Sequence, residues 1–204
     1  MHDFVVVCGL LSTVLGIYCA IPYIVAIIRG KVKPHQFTWL IWSIMNGIMV
    51  LSQYLEGARA SILISAIFFV SSTVQFFLSL KYGVRNSSPY DRLLLGLALA
   101  TIVAWMLTRN NILAIWLTVL IDVFATTMLI LKIKRHPGTE PFYLWFIATI
   151  AFVFSVLSLV DHPLGILYVR PIYSFISDVA VLVAILYYKP KAKAAPPKPT
   201  FPEV

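Results

Sequence analysis

Long apolar runs separated by short turns constrain this chain more than any other feature. Several runs approach or exceed the roughly 20 residues that a helix needs to cross a bilayer. Charged residues make up only 12% of the 204 residues, against about 25% in soluble domains. Because backbone groups in lipid must bond internally, the spanning structure is a helix bundle or a closed barrel. The runs do not alternate in polarity, which favours helices, so the sequence predicts an all-α integral membrane protein.

Seven transmembrane helices fit between the turn signals. Their expected ranges are 4–28, 37–55, 60–80, 92–108, 112–131, 141–160 and 168–188. No basic segment precedes the first apolar run, so we expect this run to be retained as a helix rather than cleaved. The last segment, 189–204, is rich in Pro, Lys and Ala, which predicts a disordered basic cytoplasmic tail.

The basic residues indicate how these helices are oriented. In the predicted arrangement 13 Lys and Arg residues lie on one side of the membrane, and only Arg59, Arg109 and Arg170 lie on the other. Positive charge accumulates on the cytoplasmic side, which predicts an N-terminus outside and a C-terminus in the cytoplasm of a multi-pass protein of the cell membrane. Because the charges sit at helix ends and in the tail, the net charge of +8 does not indicate nucleic-acid binding.

A basic turn occurs twice, 103 residues apart, and divides the chain into two similar halves. Lys132, Lys134, Pro137 and Trp145 fall at the places of Arg29, Lys31, Pro34 and Trp42. With three helices per unit, a directly joined second unit would enter the membrane upside down, and one extra crossing restores its orientation. The sequence therefore predicts two parallel triple-helix bundles, 1–83 and 112–188, joined by a connector, 84–111, that contains helix 4.

Two aspartates in the apolar runs are the strongest functional candidates. Asp122 lies mid-way along predicted helix 5 and Asp178 mid-way along helix 7, and we expect no Lys or Arg within the spans to pair with them. Ionisable groups in a membrane are costly. Each aspartate should therefore be protonated, hydrated or bound to a ligand or ion for part of the time. We interpret both as candidate proton-coupling residues.

Other polar and aromatic residues are expected around the aspartates. The predicted solute-binding residues are Trp42, Asn46, Gln75, Trp145, Thr149, Ser174 and Asp178. Each Ser or Thr taken alone is more often structural, because its hydroxyl can bond to a helix carbonyl or help helices to pack. Trp39 is expected to be an interfacial anchor. Pro22 should kink helix 1, either as a static bend or as a hinge.

Motifs for catalysis and metal binding are missing from the sequence. It contains no nucleotide-phosphate loop, no Cys/His metal spacing, and no HExxH or GxSxG motif. We therefore expect neither an enzyme nor a bound cofactor or metal. Cys8 and Cys19 lie in one predicted helix about 16 Å apart, which is too far for a disulfide.

The chain resembles the PQ-loop/SWEET superfamily of small membrane transporters. The resemblance covers about residues 4–188 and rests on the 3 + 1 + 3 helix layout, the charge asymmetry and the pattern P-Y-I-x-x-I-x-x-x-K at Pro22–Lys31. It implies two triple-helix bundles joined by an inversion helix. Tyr23 stands in place of the family's glutamine. The asparagines that sugar-transporting members use in helices 3 and 7 correspond to Gln75 and Asp178, which implies a cationic or polar solute, or proton coupling.

These patterns together predict a transporter. Its solute would be a sugar, a nucleoside-like vitamin or an amine, carried by alternating access with or without proton coupling. The alternative is a seven-helix receptor or sensor that binds a small ligand without moving it. The expected partners are the solute and the lipid bilayer, and the sequence leaves open whether the protein is a monomer or a homo-oligomer.

Overall fold

The computed structural model of the protein describes residues 2–55, 62–84, 88–107, 111–161 and 165–193. They form α1 (His2–Ile28), α2 (Gln36–Leu55), α3 (Ile62–Tyr82), α4 (Pro89–Leu107), α5 (Asn111–Arg135), α6 (Phe142–Leu157) and α7 (Ile166–Lys193). The prediction of an all-helical protein with seven helices is therefore confirmed. Helix α7 continues to Lys193, so the predicted tail 189–204 begins as helix, and residues 194–204 lie outside the described residues.

Among the described residues, three helices are long and apolar enough to cross a membrane. The apolar stretches are Asp3–Ile28 in α1, Trp116–Arg135 in α5 and Tyr168–Lys189 in α7, and shorter apolar stretches lie in α3 and α6. The outer surface of α1 carries exposed apolar side chains at helical spacing, among them Leu10, Val14 and Ile21. A water-soluble bundle turns such a stripe inward. This surface therefore fits a lipid environment.

Local sequence signals explain two helix boundaries. Helix α1 ends before Gly30, which has a φ of 69°, and glycine is the residue that most readily adopts this left-handed conformation. Helix α4 begins at Pro89, three residues before the predicted start, because Ser88 and Asp91 cap it reciprocally. The backbone N–H of Ser88 donates to Asp91 Oδ2 at 2.7 Å, and that of Asp91 donates to Ser88 Oγ at 3.2 Å.

For description, α1, α2 and α3 are called the first helix group, and α5, α6 and α7 the second. Helix α3 packs against both α1 and α2, and α7 packs against both α5 and α6. The two groups meet where α1 packs on α6 and where α2 packs on α5, while α4 lies on α5 and also touches α2. Buried apolar side chains fill the contacts among α2, α4 and α5, among them Ile41, Ala98 and Met128. A central space remains between the two groups, and side chains from α1, α2, α3, α5, α6 and α7 line it.

The turns after α1, α3 and α5 meet at one end of the bundle, here named the basic end. The backbone N–H of Lys33, after α1, donates to the carbonyl of Thr139, after α5, at 3.3 Å. The N–H of Val84, after α3, donates to the carbonyl of Pro34 at 3.1 Å. These backbone bonds hold the three turns side by side, so the charged residues in and beside them become neighbours in space.

Candidate solute-binding cavity

A cavity of about 260 Å³ lies in the central space between the two helix groups. Its wall includes six of the seven predicted binding residues, and Asp122 as well. The six are Trp42, Asn46, Gln75, Trp145, Ser174 and Asp178. Thr149 does not line the cavity, and its hydroxyl donates instead to the Trp145 carbonyl at 2.8 Å. Most residues selected from the sequence thus converge on one space.

Asp122 has a basic partner, which the sequence analysis did not expect. Arg170 Nη1 lies 3.3 Å from Asp122 Oδ2, and the indole N–H of Trp42 donates to Asp122 Oδ1 at 2.5 Å. The expectation that both aspartates lack a basic partner is therefore wrong for Asp122. Arg170 was assigned to the outer end of its helix, but it lies within α7 and its long side chain reaches across to α5.

Asp178 has a different environment. It is 7% exposed, and its Oδ2 atom has no hydrogen-bond partner in the described part of the chain. Ser177, the adjacent residue, is already paired, because its hydroxyl lies 2.9 Å from that of Thr126. No basic group among the described residues lies within ion-pair distance of Asp178. This carboxyl group is therefore the least satisfied ionisable group on the cavity wall.

Helix α3 supplies the polar wall in the first helix group. The side-chain amide of Gln75 donates to Ser71 Oγ at 2.9 Å, while the other end of that amide is buried without a partner among the described residues. Asn46, from α2, donates to Ser72 Oγ at 3.2 Å. Gln75 and Asp178, which correspond to each other in the predicted repeat, thus both line the cavity, and each has one buried polar atom without a partner among the described residues.

Four aromatic side chains line the part of the cavity nearest the basic end. Neighbouring ring centroids are 5.3 Å apart for Tyr23 and Trp39, 4.9 Å for Trp39 and Trp42, and 6.3 Å for Trp42 and Trp145. We name this row the aromatic floor. Trp39, expected from the sequence to be an interfacial anchor, contributes its ring to this floor and lines the cavity.

A buried ion pair lies directly behind the aromatic floor. Lys132 Nζ is 2.6 Å from Glu140 Oε1, and neither side chain reaches solvent beyond 1%. The Tyr23 hydroxyl donates to Glu140 Oε2 at 2.9 Å, and the Trp145 indole N–H donates to the same oxygen at 3.1 Å. Lys132, interpreted from the sequence as a topology charge, is therefore also a structural residue. The sequence did contain one indication of this pair, because Glu140 is an acidic residue in an otherwise basic turn.

A second ionic cluster at the basic end joins α2, α4 and α5. Asp91 Oδ1 lies 2.7 Å from Arg135 Nη2, and Asp91 Oδ2 lies 3.7 Å from His35 Nε2. Burial is the main cause that lowers the pKa of His35 to about 4; the positive charges of Arg135 and Lys132 lower it further, and Asp91 acts in the opposite direction. Burial acts to raise the pKa of Asp91, but hydrogen bonds from Arg135 and Ser88 hold it below the usual value.

Two more residues are placed beside the cavity. Pro22 lies inside α1, immediately before Tyr23, and α1 continues through it without interruption. Cys19, one turn earlier, lines the cavity as a free thiol, and its Sγ lies 3.5 Å from the Leu144 carbonyl of α6. Within the described residues no group of three His, Cys, Asp or Glu side chains could hold a metal ion.

Comparison with known proteins does not identify a relative. No protein-family model, no curated protein and no solved structure matches this chain. Its chemistry therefore has to be inferred from the cavity itself. The cavity wall combines an aspartate paired with Arg170, an aromatic floor, and three residues with an unsatisfied polar atom, Trp39, Gln75 and Asp178. Small-molecule sites show this mixture of apolar lining and few polar groups.

Proposed function

We propose that the protein is a membrane transporter that carries a small polar solute through the central cavity by alternating access. The observation that carries this proposal is the buried Asp178 carboxyl on the wall of a cavity between two three-helix groups. Unsatisfied ionisable groups inside membrane proteins mark solute or ion pathways. Asp178 is the preferred proton-coupling residue, because Arg170 already compensates the charge of Asp122.

The packing order of the helices supports a parallel repeat of the PQ-loop/SWEET type. In each group the last helix, α3 or α7, packs against the other two helices of that group. The contact of α1 with α6 has its counterpart in the contact of α5 with α2. In this proposal seven spans cross the membrane, with the N-terminus outside, the basic end in the cytoplasm and α4 as the inversion helix.

The hydrogen bonds that α1 makes to α6 and to Glu140 near the aromatic floor can break without isolating a charge. Separation of α1 from α6 breaks the Tyr23–Glu140 bond and the Cys19 contact with the Leu144 carbonyl. Glu140 keeps its bonds to Lys132 and Trp145, which belong to the same group. Because removing one partner of a buried ion pair is far more costly than losing a neutral donor, this interface suits reversible opening. Pro22 lies next to Tyr23 and would act as the hinge.

Cysteine labelling tests alternating access without knowledge of the solute. In a Cys8→Ser variant, Cys19 is the sole cysteine of the chain and reports access to the cavity. A membrane-impermeant thiol reagent is applied in alkaline buffer to sealed right-side-out vesicles and, separately, to inside-out vesicles. Alternating access predicts labelling from both sides, and Tyr23→Phe should increase labelling from the basic end because it removes a bond across the interface.

The matched control is a Cys19→Ser variant that retains Cys8, which is buried and should stay unlabelled from either side. Labelling of Cys19 from one side alone, in both the parent protein and the Tyr23→Phe variant, would contradict transport. That result would favour the receptor alternative, in which a ligand enters and leaves by the same opening.

A further inference from the structure

We infer that the cavity selects a small monovalent organic cation over a neutral solute of the same shape. This inference rests on the proposed function, because it names the class of solute for the same cavity. It depends on the charges, the hydrogen-bond donors and the aromatic rings that the described residues present to the cavity.

The charge balance of the wall leaves one carboxyl group uncompensated. Three carboxyl or guanidinium groups line the cavity in the described part of the chain: Asp122, Arg170 and Asp178. Arg170 pairs with Asp122 at 3.3 Å, which leaves the charge of Asp178 without a partner. A buried carboxylate without a counter-ion is strongly unfavourable, and a cation of charge +1 in the cavity would compensate it.

Three of the four hydrogen-bond donors of the aromatic floor are already in use, and the fourth, the Trp39 indole N–H, is buried without a partner among the described residues. The Trp42 indole N–H donates to Asp122, and the Trp145 indole N–H donates to Glu140. The hydroxyl of Tyr23 also donates to Glu140. A solute at this floor therefore meets mainly ring atoms rather than N–H or O–H donors. Tryptophan rings attract ammonium groups by cation–π interaction, most strongly where water is excluded.

A neutral sugar is a poorer fit for the same reason. Its hydroxyl groups can donate to the Asp178 carboxylate, but they carry no charge and leave that carboxylate without a counter-ion. A cationic ammonium or a ring with N–H groups supplies donors and positive charge together. Asp178 and the aromatic floor thus favour the same chemical class through independent interactions.

The cavity volume limits the size of the cation. A volume of about 260 Å³ accommodates a small organic cation such as a quaternary ammonium alcohol or an arylalkyl amine.

The experiment compares choline with its neutral isostere, in which a quaternary carbon replaces the nitrogen. A second pair compares phenethylamine with phenylethanol. Binding to the purified full-length protein is measured by thermal shift and by tryptophan fluorescence titration. We expect each cation to bind at least tenfold more tightly than its neutral partner. Asp178→Asn should reduce cation binding at least tenfold and leave the neutral compounds unaffected. Asp161→Asn, an exposed site outside the cavity, should change neither.

Equal binding of the cation and its isostere, or cation binding that is unchanged in Asp178→Asn, would overturn the inference, as would the absence of cation binding. The proposed function is tested separately by flux in proteoliposomes. If a neutral solute crosses the membrane through the protein while cations do not bind, transport stands and the cation inference fails. If a cation binds as expected but does not cross, the cation inference stands and transport fails.

Discussion

The Lys132–Glu140 pair allows the strongest test of how the closed basic end is stabilised. Both side chains are buried and their charged atoms are 2.6 Å apart. Lys132→Met removes the ammonium group but keeps a side chain of similar length, so Glu140 loses its only ion-pair partner among the described residues. Removing one member of a buried ion pair destabilises a protein by about 3–5 kcal/mol.

The expected change in melting temperature follows from this free energy. For a chain of about 200 residues, each kcal/mol shifts Tm by about 2–4 °C, so Lys132→Met should lower Tm by about 6–20 °C. Glu140→Gln should have a similar effect, since it leaves the Lys132 ammonium buried with only the Thr139 carbonyl at 3.4 Å. Tryptophan-fluorescence unfolding in detergent measures both variants.

The decisive comparison is between each single variant and the double variant that combines Lys132→Met with Glu140→Gln. With both charges removed, Gln at position 140 can still accept hydrogen bonds from Tyr23 and Trp145, so most of the lost stability should return. Lys134→Met is the matched control, because Lys134 lies on the same helix and is exposed. If the two single variants melt like Lys134→Met, or if their effects add in the double variant, the pair does not stabilise the closed end as reasoned here.

Two further predictions concern the basic end. His35 has a pKa of about 4 in the folded protein against 6.5 in an ordinary setting, so the unfolded state binds more protons between these values. The contribution of neutral His35 to the free energy of unfolding should be complete above pH 6.5 and should be lost, by about 3 kcal/mol, as the pH drops to 4. If the Tm of His35→Gln depends on pH as steeply as that of the parent protein, this reasoning is wrong. A Cβ added at Gly83 would lie 2.6 Å from the Pro34 carbonyl oxygen, so Gly83→Ala should cost about 1–3 kcal/mol. Gly96→Ala is its control, since a Cβ there meets nothing within 4 Å and should stabilise α4 by about 0.5–1 kcal/mol; equal melting of the two variants would contradict the argument.

The positions of the helices could be predicted because apolar run length and turn chemistry are local properties of a sequence. Most of the residues that the same local reasoning selected lie on the cavity wall, since polar residues in apolar runs avoid lipid and face the interior. The start of α4 could also have been predicted from the capping sequence Ser88-Pro89-Tyr90-Asp91. The apolar run alone placed this start three residues later.

Long side chains account for what could not be predicted. Arg170 and Lys132 were assigned by their positions along a helix, but a long side chain places its charge several ångströms from its backbone. Their partners, Asp122 on another helix and Glu140 across a turn, depend on which helices pack together. Sequence spacing does not give that packing. Acidic residues in basic turns are the signal that merits more weight in such chains.

The lone carboxyl of Asp178 also determines which step of the proposed cycle responds to membrane voltage. When a monovalent cation occupies the cavity, its charge and that of ionised Asp178 cancel, so the loaded protein can change conformation without moving net charge. The empty protein returns either with Asp178 ionised, which carries one uncompensated negative charge, or with Asp178 protonated, which carries none. A potential of 100 mV acts on one charge that crosses the whole membrane with about 2.3 kcal/mol, so voltage would govern the return of the empty protein only where Asp178 returns without a proton.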